Sequence, residues 1–293
     1  MVSTIRLSTD ELAFAFLVND QPVAAQQMLL SSVGRELSKE EAQGRLAAAG
    51  NILFGQGLVD IREDGSLISA PILSEVARVL TAAAATLRFS LSAPAGQAVL
   101  SYHFLNDAIY EHWLERGIVH VIARVSDEAI GEGCVNFFAL AERPESPTAD
   151  ALLPDAVFRQ AMRQTEVAAA ADLLRSHGVA ESLCALLAED MVQTQAIGDM
   201  LAIYYSGTER APMSDEGRLV VLGQQRYWLF QPLRQGDEVW VKLLPSTIAS
   251  MREHAQQLAQ VCRQIAAQAA LAATNGAKAV NAETQSEQRR RDV

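Results

Sequence analysis

Five histidines, three cysteines and 35 acidic residues are the groups in this 293-residue chain that could carry chemistry. None of His103, His112, His120, His177 or His254 falls into H-x-x-x-H, H-E-x-x-H, or H-x-E with a C-x-x-C partner. His103, His112 and His120 lie in successive strand-like runs, and three imidazoles on one sheet face would bind a divalent metal. Their spacing assigns them no shared face, so they read as ordinary surface or half-buried histidines, with no metal. Cys134, Cys184 and Cys262 are far apart and read as buried free thiols. There is no G-x-S-x-G elbow and no Walker loop, and the "GQG" at Gly55 and "GEG" at Gly131 are too short to cradle a phosphate. The sequence therefore assigns no catalytic residue and no cofactor. An enzyme whose acid and base converge from distant positions stays as an alternative reading.

Aromatic side chains offer a different chemistry, the anchoring of a protein partner. Tyr204, Tyr205, Tyr227, Trp228 and Phe230 lie in strand-like runs, and any that point outward would present rings to a partner. A meander must also bury one face, so each has a second reading as core. A formal net charge of −11 opposes phosphate-backbone binding as the main activity. The N-terminus lacks the basic start, long apolar run and small-residue cleavage site of a signal peptide, and no stretch reaches about 18 consecutive apolar residues. The expectation is a folded cytoplasmic protein with no membrane contact.

The elements that would position these groups are legible in outline. Capping boxes at Ser8-x-x-Glu11 and Ser38-x-x-Glu41 open two helices, and Pro22 starts a third between them. "LVDIREDGSLIS" reads as a tight hairpin around Asp64-Gly65. Helix followed by hairpin is the outline of a winged helix, which raises a DNA-binding regulator as another alternative. From Glu36 to Ser66, however, three basic residues face six acidic ones, and such a surface repels phosphates. A helix from Pro71 leads into four runs, "TLRFSLSA", "QAVLSYHFLN", "AIYEHWLER" and "GIVHVIARV", that read as an antiparallel meander. Ser126 then caps a helix that tolerates Gly131 and Gly133. After a proline-rich stretch come two helical segments, four more strand-like runs ("DMLAIYYSG", "RLVVLG", "RYWLFQP", "EVWVKLLP") and a long helix capped by Ser246.

The fold class is thus α+β, with two pseudo-repeated halves that each read as helices, an antiparallel meander and a closing helix, and with a winged-helix-like start. The expected boundaries are 1–140 for the first half, 141–155 for a linker, 156–274 for the second half and 275–293 for a disordered tail. In the long helix, Ile248, Met251, Ala255, Leu258, Cys262 and Ile265 make an apolar stripe that packs within the chain to about Gln264, with fraying or a dimer contact beyond.

The order of elements, together with "GLVDIREDGSL" leading into "ILSEVARVL", the "YYSG...GRLVVLG...YWLF" run and the ending "EVWVKLLPSTIASMREHAQQL", resembles the EspG family of cytosolic chaperones of type VII secretion systems. The resemblance runs from about Leu7 to Leu258. It departs from the family's pattern around "DEGRLVVLG" and in the length of the last helix. It implies a noncatalytic protein that binds and shields a helical secretion substrate, using the central sheet and the loops and helices beside it.

Overall fold

The computed structural model describes residues 4–144, 147, 151–206 and 211–291, with the side chains of Ser206 and of residues 273–291 left aside. The first half comprises β1 (Thr4–Ser8), α1 (Thr9–Val18), α2 (Pro22–Val33), α3 (Lys39–Gly55), β2 (Val59–Ile61), β3 (Leu67–Ser69) and α4 (Pro71–Ala82). It continues through the meander β4 (Ala85–Ala93), β5 (Gly96–Leu105), β6 (Ala108–Glu115) and β7 (Val119–Val125) to α5 (Asp127–Phe137). The second half has β8 (Leu152–Pro154), α6 (Asp155–Ala161), α7 (Val167–Ser176) and α8 (Glu181–Val192). Its meander is β9 (Ala196–Ser206), β10 (Ala211–Leu222), β11 (Tyr227–Gln235) and β12 (Glu238–Leu244), followed by α9 (Ile248–Arg291).

The capping signals act where the sequence puts them, with three changes, one being that Ser126 stands at the N-cap of α5 without a side-chain cap hydrogen bond. Ser8 and Glu11 form the full reciprocal box. Ser38 accepts from the Glu41 amide, but the Glu41 carboxylate turns to Arg35 instead of completing the box. The long helix is capped not by Ser246 but by Thr247, whose hydroxyl accepts from the Ser250 amide at 3.0 Å. The Ser246 hydroxyl instead accepts from Leu229 N at 2.8 Å and donates to Leu244 O, tying the start of β11 to the end of β12. The Asp64-Gly65 hairpin forms, but Ile61 pairs with Leu67, so its loop is longer than the tight turn expected; Gly65 takes φ +81° within it.

Both meanders belong to one antiparallel sheet, ordered β1-β7-β6-β5-β4-β9-β10-β11-β12-β8. The join is the β4–β9 ladder, with Ala85 opposite Tyr204 and Ser92 opposite Ile197. Two edge strands were not foreseen. β1 pairs with β7, and β8 lies within the expected linker and pairs with β12. Residues 145–146 and 148–150 of that linker fall outside the described residues. α9 runs to Arg291, so its backbone takes in positions 275–291 of the expected tail.

Strand alternation assigns the two faces. Leu87, Phe89, Tyr102, Phe104, Met200, Val220 and Leu229 point to one face, where α5 and α9 cover them with Ile130, Cys134, Met251, Leu258 and Cys262. On the other face α1–α4 cover Ile5, Leu7, Tyr110 and Ile122 at the first end, and α6–α8 cover Val221, Trp228, Phe230, Val241 and Leu243 at the second. All three cysteines are free and buried. Gly133 in α5 serves close approach: a Cβ there would meet the Tyr102 hydroxyl, which donates to Glu111 at 2.8 Å. At the central ladder a Cβ on Gly198 would lie 2.4 Å from the Ser90 carbonyl oxygen and 2.6 Å from the Phe138 ring. The Gly198→Ala substitution is therefore expected to lower stability by about 2 kcal/mol, because backbone at the seam must move to admit the methyl group. A urea titration would measure this, and an unchanged midpoint would contradict it.

Candidate partner-binding trough

Between the two helical layers lies a strip of sheet that neither covers. On β4 its residues are Arg88, Ser90 and Ser92, with Thr86 buried at one end, and on β9 they are Ile197, Asp199, Leu201 and Ile203, followed by Tyr205. Among the described residues, α9 is the helix that packs substantially on β4 and β9, and it lies on the opposite face. Arg88, Ser90, Asp199, Leu201, Ile203 and Tyr205 are half-buried, and Ile197 is exposed. Ser90 donates to Asp199 Oδ2 at 2.6 Å. Asp199 Oδ1 and Arg88 Nε are shielded yet have no hydrogen-bond partner among the described residues. Leaving such groups unpaired costs about 1–3 kcal/mol each. At a strand spacing of about 4.8 Å, β4 and β9 with half of each flanking strand span roughly 10–15 Å. That is close to the diameter of one α-helix, about 10–12 Å.

One wall of this trough holds a row of three histidines. The two-residue turn Asn106–Asp107 sets Leu105 opposite Ala108, which places His103 opposite Tyr110 and His112 diagonally beside it. The β6–β7 register then places His112 opposite Ile122 and His120 opposite Leu114. The three rings lie side by side, His103 Nε2 to His112 Nδ1 at 3.4 Å and His112 Nε2 to His120 Nδ1 at 2.9 Å. Threonines close both ends: Thr86 Oγ1 is 3.0 Å from His103 Nδ1, and Thr9 Oγ1, at the first residue of α1, is 3.3 Å from His120 Nε2. Tyr205 OH extends the row from Thr86 at 3.3 Å. Burial pushes His103 down to about 4. His112 is pushed down to about 3 by burial and by the neighbouring rings, and burial lowers His120 as well. These histidines thus share a face after all. Each ring nitrogen addresses its neighbour and not a common point, and among the described residues no group of three or more His, Cys, Asp or Glu could hold a metal ion.

The five aromatic candidates separate. Tyr205 is half-buried in the trough wall. Tyr204 points to the opposite face, where its hydroxyl donates to Asp215 Oδ2 at 2.5 Å. Tyr227, Trp228 and Phe230 are core: Tyr227 packs in the layer under α9, while Trp228 and Phe230 pack under α6–α8. The reading of these three as outward anchors is thereby corrected, because helices cover both faces of β11 over Tyr227–Phe230. Trp228 is further fixed by its indole N–H, which donates at 3.0 Å to Asp190 Oδ2. The same fully buried carboxylate accepts from the Gln225 amide at 2.9 Å in the β10–β11 turn. Sequence reasoning missed Thr9, Thr86, Arg88, Asp199 and Leu201. The signal for them was the polar alternation Thr86, Arg88, Ser90, Ser92 in a strand whose other face is entirely apolar.

This arrangement of a ten-stranded antiparallel sheet with paired helical layers and a bracing last helix is an EspG-like α+β fold. The solved structure of the Mycobacterium tuberculosis type VII secretion system chaperone EspG5 in complex with the PE25-PPE41 dimer shares it, with a TM-score of 0.63 over 87% of this chain and 95% of that chain at 12% sequence identity. By sequence the chain belongs to the family described as "Uncharacterised protein YfjC", whose profile matches residues 4–245. No curated protein matches it.

Replacing Trp228 with alanine removes a fully buried indole and leaves the buried Asp190 carboxylate short of a donor. A loss of about 3–5 kcal/mol is expected in chemical denaturation. Full stability in that variant would return Trp228 to the surface anchors.

Proposed function

We propose that the protein is a noncatalytic, chaperone-like binding protein that takes a helical segment of a protein partner into the trough between its helical layers. The observation that carries the reading is the strip of β4 and β9 left bare: it is about one helix wide, mixes apolar Leu201 and Ile203 with polar groups, and holds the unpaired Arg88 Nε and Asp199 Oδ1. An amphipathic helix laid along the strip would remove Ile197, Leu201 and Ile203 from water. The likeness to a secretion chaperone solved with its partner supports the same reading, with a helical secretion substrate held in the cytoplasm as the partner class. No helix among the described residues is long and apolar enough to cross a membrane. The acidic balance of the chain, −11, supports a protein partner over nucleic acid.

The test is affinity purification of the tagged full chain from its native cells, in parallel with Leu201→Arg, whose charged side chain would occupy the trough. The wild type is expected to retain small helical proteins and the variant to lose them at least tenfold, with an unchanged melting temperature. A wild type that retains no protein, or retains nucleic acid, overturns the reading; so does equal retention by the variant.

A further inference from the structure

The histidine row is a continuous hydrogen-bonded line from β9 across β4, β5, β6 and β7 to the first turn of α1: Tyr205, Thr86, His103, His112, His120, Thr9. With neutral rings, only two proton arrangements satisfy every link. Either all three imidazoles carry their proton on Nε2, or all three carry it on Nδ1, with the hydroxyls oriented to match. One added proton keeps the links only if both end threonines turn to accept, and it places a charge 5.2 to 5.6 Å, ring centre to ring centre, from a neighbouring imidazole; a second added proton sets two N–H groups head to head and breaks the line.

We propose that the row is an acid-operated latch between the N-terminal helical layer and the sheet: neutral, it binds the start of α1 to β7 through Thr9, and on protonation it releases that end. Among the described residues the surroundings offer no free counter-charge to absorb the proton. On α1, Asp10 is engaged with Arg45 and Glu11 with the Ser8 amide. On α4, Glu75 accepts from Tyr110, with Arg78 nearby, and Asp199 on β9 accepts from Ser90. β4 and β7 contribute the cations Arg88 and Arg124. The sign follows from linkage. The unfolded chain takes up protons near pH 6.5, whereas the folded chain resists until about pH 4, so the latch is fully closed above pH 6.5 and its contribution is lost as pH falls toward 4. Within that window each histidine that resists protonation makes folding tenfold less favourable per pH unit.

The full chain tests this in two ways. Imidazole ¹⁵N spectra of the wild type are expected to show His103, His112 and His120 in one common neutral tautomer from pH 7.5 to 5.5. Amide exchange over Ile5–Leu17, corrected for its intrinsic pH dependence, is expected to quicken at least tenfold between pH 7 and 5, while α6–α8 change little. In the triple variant H103Q/H112Q/H120Q, which keeps donors and acceptors but takes no proton, that acid response disappears. A histidine of the row that titrates at pH 6–7 with α1 still protected overturns the proposal. So does a wild-type acid response that the triple variant reproduces. Neither readout depends on a bound partner, so the latch stands or falls apart from the proposed binding role.

Discussion

The ladder between β4 and β9 joins two antiparallel meanders into one sheet, and the rest of the architecture follows from that contact. Because the strands are antiparallel, the two meanders spread in opposite directions from the seam. The helices that precede each meander then lie on the same face, one layer at each end. That leaves the seam itself bare on one side and available for α9 on the other. Gly198 permits the close approach that sets the geometry, since any side chain there would collide with the Ser90 carbonyl. The trough is therefore a consequence of how the halves join and not of a separate binding element.

Most of the regular structure could be read from the sequence because it rests on local signals. Serine caps, alternating strands and turn residues marked eight strands of the large sheet and the hairpin at Gly65 close to where they stand. β1 and β8 escaped because "TIRLS" runs into a capping box and "LLP" lies among prolines; only their partners across the sheet, β7 and β12, make them strands. The same limit explains the aromatic candidates. "YWLF" alternates in either case, and whether its second face meets water depends on α6–α8, which are distant in sequence. Tertiary cover, not local pattern, decided the fate of Trp228.

The histidine row was closer to being legible. With a two-residue turn at Asn106–Asp107, register arithmetic alone puts His103 and His112 on one face, and the next hairpin adds His120. What the sequence could not supply was the covering of that face. In open solvent three such rings would titrate independently near their ordinary value; under α1 and beside β4 they become one coupled, neutral line.

The last helix has a consequence for how the molecule comes apart. Met251, Leu258 and Cys262 lie in the same cluster as Leu87 and Phe89 of the first meander and Met200 and Leu229 of the second. α5 closes that cluster from the first half while α9 closes it from the second, so no cut between the halves leaves both with a complete interior. Two segments that look like independent modules by sequence thus share one buried cluster. Heat or denaturant should meet one transition spanning both meanders, and a chain stopped before Ile248 would leave the apolar underside of both halves open to water at once.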